Sequence, residues 1–173
     1  MLVTAGPLAG ERPCPDCGAL FPDVDGPVHA YVGGSPGCWA AFGRLGAREL
    51  ALGIPGPERL SVHAYMVQHP GREGRREAQS VDVHLMVLAA VIELGWPVTR
   101  AVGQMDRWLR DLSPMPWLPP PRDPRARTIL SLDPDADAAA HEAEVLAWAR
   151  DVWAAWAPQH ARIVGWLESG RPA

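Results

Sequence analysis

The sequence predicts an all-α fold: a compact helical bundle with a zinc knuckle at its amino-terminal end and little or no β structure. Three observations carry this expectation. Apolar residues return in steps of three and four over long stretches, the period of helices packed on one face. The 19 prolines and 17 glycines of the 173 residues collect between those stretches and act as punctuation. All three cysteines fall in one short segment together with a histidine. At this length a single domain, 1–173, with one sizeable core is the natural count.

The chain begins with a loose leader and then the segment 14–38, which carries the pattern C-x2-C-x11-H-x8-C. Read as a ligand set, Cys14, Cys17, His29 and Cys38 make a closed Cys3His shell for a structural zinc, with no open position for chemistry. Pro13 and Pro15 pre-set the turn around the first pair, and Gly18 supplies the left-handed conformation that a tight metal loop needs. Ser35-Pro36 then reads as an N-cap followed by proline at the first helical position. The helix runs through Trp39, Phe42, Leu45 and Leu50 and stops before Gly53-Ile54-Pro55. Cys38 lies in its first turn, where free backbone N–H groups favour a thiolate.

The region 60–112 holds the central helices. Leu60 to Gln68 leans to helix, ended by His69-Pro70-Gly71 because the residue before a proline is pushed toward extended geometry. Gly71 to Glu77 reads as a polar turn carrying Arg72, Arg75 and Arg76, a solvated loop or a greeting for an anion. Ser80 is the expected N-cap of a helix apolar almost all round, Val81 to Ile92, which belongs at the centre of a core. Gly95 closes it. Pro97 opens a one-faced helix through Val98, Val102, Met105, Leu109 and Leu112, making a helical hairpin. The connection 113–137 is rich in proline, with Thr128 to Leu132 either a short strand or extended chain. The last helical segment, 138–169, carries the stripe Val145, Ala149, Val152, Trp156, His160, Ile163, Leu167, which Pro158 should kink or split. Trp148, Trp153, Trp156 and Trp166 read as core first, with a stacking platform as the minority view.

The composition excludes several classes. A formal net charge of −4 gives no general attraction to nucleic acid or anionic membranes. The amino terminus lacks the features of a signal sequence and no apolar run is long enough to span a bilayer, so a cytoplasmic location is expected, where thiols stay reduced. No nucleophile elbow, phosphate-binding glycine loop or H-E-x-x-H helix occurs, and His141-Glu142 reads as an exposed helix start. The anomaly is histidine placement. His160 falls on a buried stripe and His84 lies in the most apolar helix, while His63 and His69 flank the segment before it. Each alone is most simply a hydrogen-bonded core histidine. Together, His69, His84 and His160, with His63 as an extra ligand, would make an open site for a second divalent metal, and Tyr65, Gln68 and Gln79 are placed to orient its ligands.

Five motifs resemble an uncharacterised bacterial family, one of the domains of unknown function: C-P-D-C-G-A at Cys14 to Ala19, D-G-P-V-H-A-Y at Asp25 to Tyr31, S-P-G-C-W at Ser35 to Trp39, A-Y-M-V-Q-H-P-G at Ala64 to Gly71 and Q-S-V-D-V-H-L at Gln79 to Leu85. A looser similarity covers Trp153 to Leu167. The resemblance implies that the knuckle, the Gln-His-Pro-Gly segment and the His84 helix form one recurring design, and it implies no activity.

Two functions follow from these readings. One is a small metalloprotein with a structural zinc and a second, histidine-lined metal cleft for hydrolysis or group transfer on a small-molecule substrate. There Gln68 or Gln79 orients a ligand, and Arg72, Arg75 or Arg76 meets a negative charge. The other is a non-catalytic, zinc-stabilised interaction module whose tryptophan-rich face or proline-rich link meets a protein partner.

Overall fold

The computed structural model describes residues 10–110, 115–121 and 127–169. The expected leader, the end of the fourth helix at Leu112 and parts of the proline-rich connection lie outside the described residues. The rest is helical with one small hairpin, as the periodicity predicts. Strands β1 (Glu11–Pro13) and β2 (Leu20–Pro22) pair antiparallel, Arg12 opposite Phe21. Six α-helices follow among the described residues: α1 (Pro36–Ala51), α2 (Leu60–Gln68), α3 (Arg75–Ile92), α4 (Val98–Arg110), α5 (Ala138–Ala155) and α6 (His160–Ser169).

Local chemistry sets most boundaries. The Ser35 side chain accepts from the backbone N–H of Cys38 and Pro36 opens α1, the predicted cap. Gly37 is required there by close approach: a Cβ at this position would lie 2.6 Å from the Pro22 carbonyl oxygen and 2.9 Å from Phe21 Cβ. So the start of α1 is pressed onto β2. Helix α2 ends where Pro70 demands, and Gly95 at φ 64° turns the chain from α3 into α4. Pro158 splits the last segment, with a 3₁₀ turn at Ala157–Gln159 between α5 and α6.

Three boundaries depart from expectation. Helix α3 starts at Arg75 with extended Gly74 as its N-cap, five residues before Ser80. Arg75, Arg76, Glu77, Ala78 and Gln79 are all good helix formers, and Glu77 sits well in the first turn, so the helix propagates back through the supposed loop. Thr128–Leu132 is no strand: Ile129–Ser131 is a 3₁₀ turn closed by a reciprocal capping box between Thr128 and Ser131. His141 is fully buried rather than at an exposed helix start. It is drawn in by a polar network that ties α1 to α5. Arg48 donates to its Nδ1, which leaves the Nε2–H to donate to Glu49 at 3.3 Å. The other oxygen of Glu49 accepts from Arg59 at 2.6 Å and from Ser61 at 2.8 Å. With both carboxylate oxygens bonded, burying Glu49 is tolerable.

Helix α3 is the centre, as its all-round apolar sequence predicts. Val83 and the run Leu85 to Ala90 are buried, and α2, α4, α5 and α6 pack around them. Trp148 and Trp153 of α5, Trp156 just after it and Trp166 of α6 join this core, and two of the indoles serve as hydrogen-bond donors. Trp148 donates to Gln68 at 3.1 Å and Trp153 to Glu93 at 2.6 Å. No helix among the described residues is long and apolar enough to cross a membrane.

One residue of α3 strains this core. Asp82 is fully buried, and neither carboxylate oxygen has a partner among the described residues. Burial raises its pKa to about 8, against the opposing charge of Arg162. Because the folded-state value lies above the unfolded one, folding takes up a proton. The contribution of this group is therefore most favourable below about pH 4 and is lost as pH rises through about 8. Asp82→Asn is expected to stabilise the protein at pH 8 by on the order of 1–3 kcal/mol and to do little at pH 4. Denaturant unfolding at the two pH values checks this; equal effects at both would contradict it.

Candidate metal centre

The first two donors sit in the β1–β2 turn. The Cys14 N–H donates to the Ala19 carbonyl, the Gly18 N–H donates back to Cys14, and Gly18 takes φ 71° as its place in the turn requires. Cys38 comes from the first turn of α1, pressed against β2 through Gly37. The fourth donor comes from the far side of the knuckle: His69, the residue that ends α2. The Sγ atoms of Cys14, Cys17 and Cys38 and a ring nitrogen of His69 all lie within 4.8 Å of one another, and all four residues are 5% exposed or less. A tetrahedral ion held at about 2.0–2.3 Å by sulfur and nitrogen needs donors spaced roughly 3.5–3.8 Å apart, so a small closure of this group suffices. Among the described residues no other group of three or more such donors converges.

His69 is prepared for the role. Its Nδ1–H donates to the Tyr65 carbonyl at 2.8 Å, which leaves Nε2 facing Cys38 Sγ at 3.3 Å. A ligating imidazole is usually fixed in this way, by a hydrogen bond on its other nitrogen. The Tyr65 ring lies between Phe42 and His69, stacked at 4.1 Å on each, and its hydroxyl donates to Cys38 Sγ at 3.4 Å. Burial, and then that bond, raise the Tyr65 hydroxyl pKa, so it stays a donor. Backbone contacts lock the pieces together. Asp16 accepts from the Gly71 N–H at 2.8 Å, and the Gly33 N–H donates to the His69 carbonyl at 3.3 Å.

The electrostatics of the group also call for a cation. Hydrogen bonds with Cys17 and Cys38 pull the Cys14 thiol strongly down, whereas those with Cys14 and Cys17 push Cys38 up. Burial would lower His69, but its bonds to Cys14 and Cys17 prevail and raise it to about 9. Three thiolates cannot be packed together in this space without a positive charge between them. A divalent ion would remove that conflict and displace the protons.

The expected ligand set is thus corrected at one position. His29 is not in the group: its ring packs edge-on to Tyr31 at 4.3 Å and lies 5.2 Å from Trp39, and its buried Nδ1 has no hydrogen-bond partner among the described residues. His29 had proximity in sequence, but the end of α2 presents His69 directly to the three sulfurs. The signal available beforehand was the grouping of the Gln-His-Pro-Gly segment with the knuckle in one recurring design.

The second metal site on His69, His84 and His160 is not assembled either. His69 belongs to the cysteines. His160 stacks on Trp153 at 3.8 Å and bonds the Trp153 carbonyl at 2.8 Å. His84 pairs with His63, Nδ1 to Nδ1 at 2.8 Å. Of the ligand-orienting candidates, Tyr65 serves the cysteine site and Gln68 bridges Trp148 to the Arg127 carbonyl. Gln79 lines a cavity beside His84. Arg75 and Arg76 lie in the first turn of α3, with Arg72 just before it. Sequence reasoning did not anticipate the Glu49, Arg59, Ser61, Arg48 and His141 network, whose members are up to 93 residues apart and carry no local pattern.

Residues 12–157 match the model of a family of unknown function, DUF5946. The chain belongs to that family. No curated protein and no solved structure gives a match. The part of the chain matched to DUF5946 contains all four members of the cysteine and histidine group.

His69→Ala is expected to release most of the bound metal, while His29→Ala retains it. His69→Cys, which keeps four donors, should hold at least part of it. Metal content of the purified variants measures this, and loss in His29→Ala with retention in His69→Ala would reverse the assignment.

Proposed function

We propose that this DUF5946 chain is a zinc protein in which the ion is a structural clamp and whatever the protein binds is met away from it. The observation that carries this reading is the closure of the donor group: three sulfurs and one imidazole, all buried, leave no position for a water or substrate. Zinc suits this donor set better than harder cations, which prefer oxygen. The ion would join the β1–β2 turn, the start of α1 and the end of α2. Thiols kept reduced for a metal agree with a cytoplasmic location.

The interaction-module reading loses its tryptophan face, since Trp148, Trp153, Trp156 and Trp166 are all buried. The described part of the proline-rich link also folds onto the body, with Met115 and Leu118 buried. These observations favour a role carried by cavities over one carried by an exposed aromatic surface.

The purified protein is expected to hold one zinc per chain. Removing it with a chelator, or substituting Cys17→Ser, should lower the thermal midpoint by about 10 °C or more, because such a site contributes several kcal/mol to folding. Unfolding that is unchanged with and without chelator would contradict the structural role.

A further inference from the structure

A cavity of about 360 Å³ opens beside α3 and α4, lined by Tyr31, Arg76, Gln79, Ser80, Val83, His84, Met105 and Leu109. Its volume falls in the range of small-molecule sites, roughly 300–1,000 Å³. The lining has a definite chemical character. It holds one guanidinium, two hydroxyls, an amide and an imidazole and, among the described residues, no carboxylate, although the chain as a whole is acidic. Arg76 makes no ion pair with any described residue, so its fork of donors is open to a ligand. Val83, Met105 and Leu109 add an apolar wall.

His84 is held for a purpose that the metal centre does not explain. Its Nδ1 lies 2.8 Å from Nδ1 of the buried His63, and its other nitrogen has no partner among the described residues. Two neutral imidazoles this close must divide the roles, one donating and the other accepting. Burial keeps both neutral, lowering His84 to about 4 and His63 well below its ordinary value, the latter with help from His84. When His63 donates, His84 accepts at Nδ1 and carries its proton on Nε2, a donor available to the cavity it lines.

We propose that this cavity binds a small organic carboxylate, with Arg76 taking the carboxylate oxygens, His84 and Gln79 donating to it, and Val83, Met105 and Leu109 covering the carbon skeleton. The apolar wall favours an organic anion over a bare inorganic one. His63 acts as a positioning residue that sets the tautomer of His84. The proposal goes beyond the structural zinc and does not depend on which ion the cysteines hold.

The test is a titration of the full metal-loaded chain with hexanoate, benzoate and inorganic phosphate, followed through the imidazole nitrogen and carbon resonances of His84 and His63. The expected result is a saturable shift of His84 with at least one carboxylate at millimolar concentration. That binding should be weakened tenfold or more by Arg76→Gln and left within twofold by Arg72→Gln, a substitution outside the lining. The nitrogen shifts should also show His84 protonated on Nε2. Gln79→Leu gives a second variant, expected to weaken binding with the thermal midpoint unchanged. No saturable shift with any probe, binding indifferent to Arg76→Gln, or saturation by inorganic phosphate alone would overturn the proposal.

Discussion

The meeting of Cys14, Cys17, Cys38 and His69 is the constraint on which the front of this molecule depends. A hairpin with three-residue strands has no independent stability, and the two sulfurs in its turn are placed so that a shared ion would anchor it. Through the same ion the third sulfur would fix the start of α1, and the imidazole the end of α2. The surrounding contacts point the same way. Gly37 lets α1 touch β2, Asp16 reaches the Gly71 N–H, and Tyr65 touches both Cys38 and His69. Apart from the Tyr65–His69 stack, which lies at the end of α2 itself, each is a contact between segments distant in the chain.

Away from the metal centre, the bundle is held by ordinary apolar packing around α3 and by two contrasting treatments of buried charge. Glu49 is surrounded by donors from Arg59, Ser61 and His141 and links α1 to α5 at modest cost. Asp82 is buried in the central helix α3 with no such partners among the described residues. A network that is fully satisfied gives a definite geometry to the elements it joins, whereas an unpaired carboxyl costs stability. His141 illustrates the difference in function: both its nitrogens are engaged within the network, while one nitrogen of His84, beside a cavity, has no partner among the described residues.

What could be read from the sequence follows from how local each signal is. Ser35-Pro36, His69-Pro70, Gly95 and Pro158 act within a few residues, so the ends of α1, α2 and α3 and the break before α6 were legible. The start of α3 was not, because strong helix formers at Arg75 to Gln79 outweighed the cap offered by Ser80. Three of the four metal donors were legible from cysteine spacing alone. The fourth was misplaced because spacing along the chain favours His29, whereas the choice is made in space by the helix that carries His69. The histidine cleft failed for the same reason in reverse: residues on apolar faces of different helices need not face one another.

The central claim is that one ion is held by three sulfurs and the imidazole of His69. X-ray absorption at the zinc edge on the purified protein tests it most directly. The account predicts three sulfur neighbours at about 2.3 Å and one nitrogen near 2.0–2.1 Å, with no exchangeable oxygen. The single imidazole signature should be lost in His69→Cys and kept in His29→Ala. A shell containing water oxygen, only two sulfurs, or an imidazole signature that disappears with His29 would contradict it.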